Sequence, residues 1–220
     1  MRSIISKKSL RLGRGMRGFI INIRKAKNED VVVTVLTNNS VQSYWRFFGT
    51  RHSILQIGNL VDFEEKESKN NFMPQMRSLS QLSFPWIFSK NHLIVWQNFI
   101  KLFHSHFKET TEIDNFYFNL LFKIANRWDK QNPKRLAIEA YMELLEYEGR
   151  IHPYTFCHIC DEILDKEVGL MRAFLPTHPY CIYATPLNKK SIFKLFNTKS
   201  TIHIENKEID TLYKILLKGF

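Results

Sequence analysis

Two residue pairs form a set whose types and spacing fit a metal ion: Cys157-x2-Cys160 and, seventeen residues later, His178-x2-Cys181. They use all three cysteines of the chain. Each two-residue gap lets a tight knuckle offer two ligands, and three thiolates with one imidazole complete a tetrahedral sphere. A closed sphere leaves no position for water, so the expected zinc ion organises a small module and does no chemistry itself. His178 repeats the gap of the first knuckle and lies between Pro176 and Pro179, which stiffen the turn. His158 and His152 are alternative fourth ligands, and buried cysteines with no ion are the plainer alternative to the whole set. An odd, low cysteine count gives no disulfide framework and points to a reducing compartment.

The charge is uneven. The chain of 220 residues carries a net +11, and residues 1–51 hold 11 Lys and Arg against only Glu29 and Asp30. The remainder is close to neutral. A concentrated basic end in a protein of pI 9.6 points to a polyanion partner, most often nucleic acid. Five of these cations precede Met16, where a second start is expected; without residues 1–15 the net charge is +6. No apolar run approaches the roughly 18–20 residues that span a bilayer, and no signal-peptide core is present, so neither membrane insertion nor secretion is expected.

The elements that must carry these groups change character near Pro85. Before it, Gly18–Ile23, Val31–Thr37, Val41–Phe48, Leu60–Glu64 and a stretch near 76–82 read as short strands, with Asn38-Asn39 marking a hairpin. Five strands in so short a span predict a small closed barrel, because closure removes exposed edges. After it, Leu93, Trp96, Ile100, Phe103 and Phe107 recur at helical spacing, as do Tyr117, Leu121, Ile124 and Trp128. A helix from Lys134 to Glu148 is apolar on most faces, which predicts the centre of a bundle, and stops at Gly149. Residues 208–217 predict a short terminal amphipathic helix.

Signals for catalysis are missing. There is no G-x-x-x-x-G-K-[ST] loop, no G-x-S-x-G elbow and no H-E-x-x-H. Gly13-x-Gly15-x-x-Gly18 matches a dinucleotide fingerprint in letters only, since it precedes the first strand instead of following one. The run Glu64, Glu65, Glu67 reads as a solvated barrel edge.

The order of barrel, bundle and knuckles resembles the RecO family of bacterial recombination mediators. The residues that carry the resemblance are Arg17-Gly18-Phe19-Ile20-Ile21, Val33-Thr34-Val35-Leu36-Thr37, and Glu143-Leu144-Leu145-Glu146-Tyr147-Glu148-Gly149 leading to Pro153 and Cys157-x2-Cys160. It spans about 16–220. Many members carry four cysteines, and here His178 takes the third position. The resemblance implies an α+β protein: an N-terminal OB-fold β-barrel over 16–84, a helical domain over 85–150, a zinc-knuckle module over 151–185 and a C-terminal segment over 186–220 packed on the helices, preceded by a basic extension, 1–15. It implies a cytoplasmic, nucleoid-associated, non-enzymatic protein that binds and anneals single- and double-stranded DNA. Its implied partners are RecR and single-stranded DNA-binding protein, with help in loading RecA.

On that barrel the candidate DNA contacts are Arg17, Arg24, Lys25, Lys27, Arg46 and Arg51. Tyr44, Trp45, Phe47 and Phe48 alternate along one strand, so one set is expected to face outward and stack on bases. A second basic group, Arg127, Lys130, Lys134 and Arg135 beside Trp128, is a candidate pocket for an acidic, aromatic-ended peptide such as the tail of single-stranded DNA-binding protein. The competing reading is a zinc-stabilised adaptor that binds only protein.

Overall fold

The structure, a computed structural model, describes residues 14–68 and 73–220. Most of the expected basic extension therefore lies outside the described residues. Five strands, β1 (Arg14–Lys25), β2 (Val31–Thr37), β3 (Val41–Arg46), β4 (Leu60–Lys66) and β5 (Gln75–Leu82), close into a barrel in the order β1-β2-β3-β5-β4. The closing contact is parallel, Trp45 against Gln75, and all other pairings are antiparallel. This is the strand order of the OB-fold, as expected.

The valine-rich β2 is buried along its whole length. Val31, Val33 and Val35 point inward with Ile20, Tyr44, Val61, Phe63 and Met76. Leu36 faces the other way and joins Phe19, Ile21, Val41 and Leu60 in a second core shared with the helices. Period-two alternation thus serves two cores at once. β1 begins at Arg14 rather than after Met16, because one long strand feeds both neighbours. Its first half pairs with β4 and its second with β2, with an irregularity between Ile20 and Asn22 that bends it.

Three helices follow: α1 (Lys90–His106), α2 (Asn115–Ala125) and α3 (Pro133–Tyr147). Asp114 accepts the Phe116 N–H, Asn132 accepts the Lys134 N–H, and Pro133 opens α3, so two N-termini are capped locally. Gly149 takes φ +66 just past the end of α3, the left-handed position that a glycine adopts without strain. α3 buries Leu136, Ala137, Ile138, Ala140, Tyr141, Met142, Leu144 and Leu145, as a central helix must.

The barrel sits on this bundle through close contacts. Trp96 of α1 donates its indole N–H to Gly58 O at 2.8 Å. Gly58 has φ +93, and a Cβ there would lie 2.6 Å from the Trp96 ring, so no other residue fits. The Phe19 ring meets the Trp96 ring at 5.8 Å, and the α1–α2 loop pairs its backbone with the β2–β3 hairpin.

Beyond α3 lie three short strands, β6 (Glu167–Leu170), β7 (Pro176–Thr177) and β8 (Leu187–Asn188), in the order β7-β6-β8. Two helices complete the chain, α4 (Lys189–Thr198) and α5 (Asn206–Leu216). The sequence pattern predicts only the second. α4 buries just Ile192, Leu195 and Phe196, too few apolar positions to announce a helix alone. No helix among the described residues is long and apolar enough to cross a membrane.

Glu148, at the end of α3, ties three helices together. Its carboxylate meets His106 Nε2 at 2.6 Å, Tyr117 Oη at 3.1 Å and Arg150 Nη1 at 2.8 Å. Burial pushes this carboxyl up, but the hydrogen bonds from His106, Arg150 and Tyr117 outweigh it and hold the group below its ordinary value of 4.5. A depressed carboxylate contributes stability that is present above its unfolded value and is lost as the pH falls through its folded value. The melting temperature of the wild type should therefore fall more steeply below pH 4.5 than that of Glu148→Gln. Parallel pH profiles for the two proteins would show that Glu148 plays no such part.

Candidate metal centre and nucleic-acid interface

Cys157, Cys160, His178 and Cys181 converge, with their ligand atoms all within 4.8 Å of one another. Cys160 Sγ lies 3.3 Å from His178 Nδ1, and Cys181 Sγ lies 3.9 Å from Cys160 Sγ and 4.0 Å from His178 Nδ1. Ordinary tetrahedral bond lengths to sulfur and nitrogen would separate two sulfurs by about 3.8 Å and a sulfur from a nitrogen by about 3.5 Å. The four residues fit a tetrahedral ion.

The local fold explains why these atoms meet. The Cys157 N–H donates to Glu162 O at 2.7 Å and the Asp161 N–H to Cys157 O at 3.0 Å, with Asp161 at φ 59 closing the first knuckle. A 3₁₀ turn over Pro179–Cys181 forms the second. His178 Nε2 meets Ile163 O at 3.0 Å, which fixes the ring and leaves Nδ1 for the ion. His152 and His158 stack around Tyr154 and stay outside the cluster, so His178 is the fourth member.

Burial pushes the Cys157 thiol up, yet N–H donors of the Cys160, His178 and Ile159 backbone outweigh that and bring it down to about 6. Cys181 is pushed up to about 11 by burial and by its neighbouring cysteines. Without a cation the sulfurs compete for protons, and a divalent ion removes the competition by taking all of them as thiolates.

At the barrel, two candidate cations are already engaged. Arg17 forks onto Asp62 at 2.8 and 3.2 Å, and Arg51 pairs with Glu29. Such exposed pairs hold loosely and can exchange for phosphate. Arg24, Lys25 and Lys27 are exposed and make no ion pair with another described residue. Arg46 is half-buried at the barrel mouth, donating to Met76 O at 3.0 Å and meeting His52 Nε2 at 3.1 Å. Register places Lys25, Val31 and Arg46 side by side across three strands, and Arg24, Val32 and Trp45 in the next row.

The aromatic residues depart from simple alternation. Tyr44 is interior and Trp45 half-buried, but Phe47 and Phe48 are both exposed, at 48% and 55%. The reason is that β3 stops at Arg46 and Phe48 takes φ 51, which turns its ring outward beside that of Phe47. Sequence reasoning missed Arg77, His52 and Ser78, which surround Arg46 with these rings. Arg77 is a lone cation on β5, and only the barrel's closing register brings it beside Arg46.

The second basic group is divided. Trp128 is fully buried, donating to His92 O at 3.0 Å and packed 4.9 Å from the Trp96 ring, so it offers no face to a ligand. Arg135 donates to Thr201 O, to Ile204 O at 2.8 Å and to Asn206 Oδ1 at 2.9 Å, and thus holds the α4–α5 turn. Lys134 pairs with Asp210 at 2.6 Å and lies over the Tyr213 ring. Only Arg127 and Lys130 stand exposed in the α2–α3 turn without such partners among the described residues. Trp128 therefore cannot line the pocket expected there, because the periodic apolar face that carries it is consumed by the core.

Residues 16–87, the barrel and the 3₁₀ turn behind it, match the family described as RecO N terminal. That stretch, about a third of the chain, is similar to the RecO N-terminal domain. A search of curated proteins finds no match. The matched region ends at the turn where the Trp86 ring enters the shared core.

One divalent ion per chain should be seen by native mass spectrometry, and Cys160→Ser should abolish it. Chelation should lower the melting temperature by roughly 10 °C or more, since ligand binding and folding of the module are coupled. Full-length protein that carries no ion and melts identically with and without chelator would contradict this.

Proposed function

We propose that this protein is a DNA-binding recombination mediator that acts in DNA repair and homologous recombination of the RecF type. In this reading it binds and anneals DNA and, with RecR, helps place RecA on strands coated by single-stranded DNA-binding protein. The observation that carries it is the RecO N-terminal match over a closed OB barrel. Support comes from the barrel cations: Arg24, Lys25 and Lys27 form a basic end with no ion pair among the described residues, and Arg17, Arg46 and Arg51 extend it. Cations tracking phosphates with exposed rings beside them make a single-strand platform. Zinc is the proposed ion, with a structural role, because a sulfur-rich tetrahedral donor set suits it. The place of action is the bacterial cytoplasm, at the nucleoid.

A protein-only adaptor is favoured by one observation. Ile163, Tyr180 and Tyr183 around the knuckles are 79%, 62% and 98% exposed, and apolar groups so displayed suit protein docking. Annealing of complementary oligonucleotides, bare and coated with single-stranded DNA-binding protein, separates the two readings. The mediator anneals both, with rates that fall steeply as salt rises, because phosphate contacts release counterions. Folded protein that neither binds nor anneals DNA at low salt supports the adaptor.

A further inference from the structure

Arg46, Arg77, His52, Phe47, Phe48 and Ser78 line a cavity of about 400 Å³ at the mouth of the barrel. Several features make it a built site. Two guanidinium groups share it, and no carboxylate lines it. Across the strands Glu64 stands opposite Arg77 in register and accepts the Ser78 hydroxyl at 2.7 Å. Arg46 is fixed from both sides, by Met76 O and His52, yet its Nε is buried with no partner. Burial, and then the charge of Arg77, holds the Arg46 guanidinium below its ordinary value.

The rings are presented deliberately as well. Phe48 and Ser78 both take left-handed backbone at φ 51 and φ 47, a conformation that costs a non-glycine residue free energy. Asp30 holds Phe48 in place: it accepts the Phe48 N–H at 2.8 Å and the Trp45 indole N–H at 3.1 Å. Arg51 lies over one face of the Phe48 ring at 5.2 Å. Both rings are exposed and edge the cavity.

We infer that this cavity is a subsite for one unpaired nucleotide of a DNA strand, its phosphate between Arg46 and Arg77 and its base against Phe47 and Phe48. The inference rests on the DNA-binding reading and adds to it a source of preference for single strands. A base inside a duplex is stacked on its neighbours and offers no free face, whereas an unpaired base does. Phosphate contacts at Arg46 and Arg77 carry no sequence information, so the subsite accepts any base.

Fluorescence anisotropy of the full chain with a labelled oligothymidylate and with a blunt duplex tests this. Phe47 and Phe48 are exposed and Arg77 is exposed, so Phe47→Ala/Phe48→Ala and Arg77→Gln should fold normally, which melting curves verify. Stacking on a ring contributes about 1–3 kcal/mol per base, so the double phenylalanine variant should bind the single strand at least about fivefold more weakly. Its affinity for the duplex should stay unchanged. Arg77→Gln should reduce the slope of log affinity against log salt on the single strand by about one. Variants that bind the single strand like the wild type, or a phenylalanine variant that loses single strand and duplex equally, overturn the subsite and leave the DNA-binding reading intact. A wild type that binds neither DNA overturns both.

Discussion

The architecture depends on the contact between the outer wall of the barrel and helix α1. Trp96 can donate to Gly58 only because that residue has no side chain and a left-handed backbone. Around this contact Phe19, Phe84, Trp86 and Trp128 form a continuous aromatic core that runs from the strands into the helices. Edge-to-face rings at such distances add to the burial of large apolar surface. The barrel therefore cannot be regarded as a bead on a string. One wall of it, with Phe19, Ile21, Leu36, Val41 and Leu60, is interior to a larger body.

That constraint decides where charge can be used. With one wall committed to the bundle, the exposed side runs from the β1–β2 turn to the mouth near Arg46 and carries Arg24, Lys25, Lys27, Arg46 and Arg51. The metal cluster is anchored separately. β6 enters the same core through Val168 and Leu170, and Cys157 is itself part of it. Holding the knuckles against that core gives a short, strand-poor segment the rigidity that its own apolar content would not supply. The exposed Tyr180 ring on the knuckles lies near Glu162 and Asp165, a setting that does not attract DNA.

Much of this was legible from residue types. The β-branched run Val31–Thr37 is β2 to the residue, and the four metal-cluster members follow from two equal gaps. Period-two and period-3.6 patterns survive because they are set by burial on one face. What stayed hidden depends on pairing at a distance. Nothing local says that Arg77 faces Arg46, since that follows from closing the barrel through one parallel contact. Trp128 and Arg135 misled for the opposite reason. Trp128 sits on a periodic apolar face yet beside basic neighbours, and Arg135 looks like a surface group; one is spent inside the core and the other on the backbone of the α4–α5 turn. Strand β1 reads short in sequence because Arg14–Arg17 has no apolar alternation, and pairing with β4 extends it regardless.

The central claim is that nucleic acid is held at the barrel's exposed side and mouth, with the helices and the metal module serving as support. Hydrogen–deuterium exchange of the full chain with and without a saturating single-stranded oligonucleotide tests this directly. Protection should appear in the β1–β2 turn, at the end of β3 through Arg51, and at the start of β5, while residues 151–185 exchange unchanged. Protection confined to the knuckles or to the α2–α3 turn, with the barrel mouth unaffected, would contradict the account.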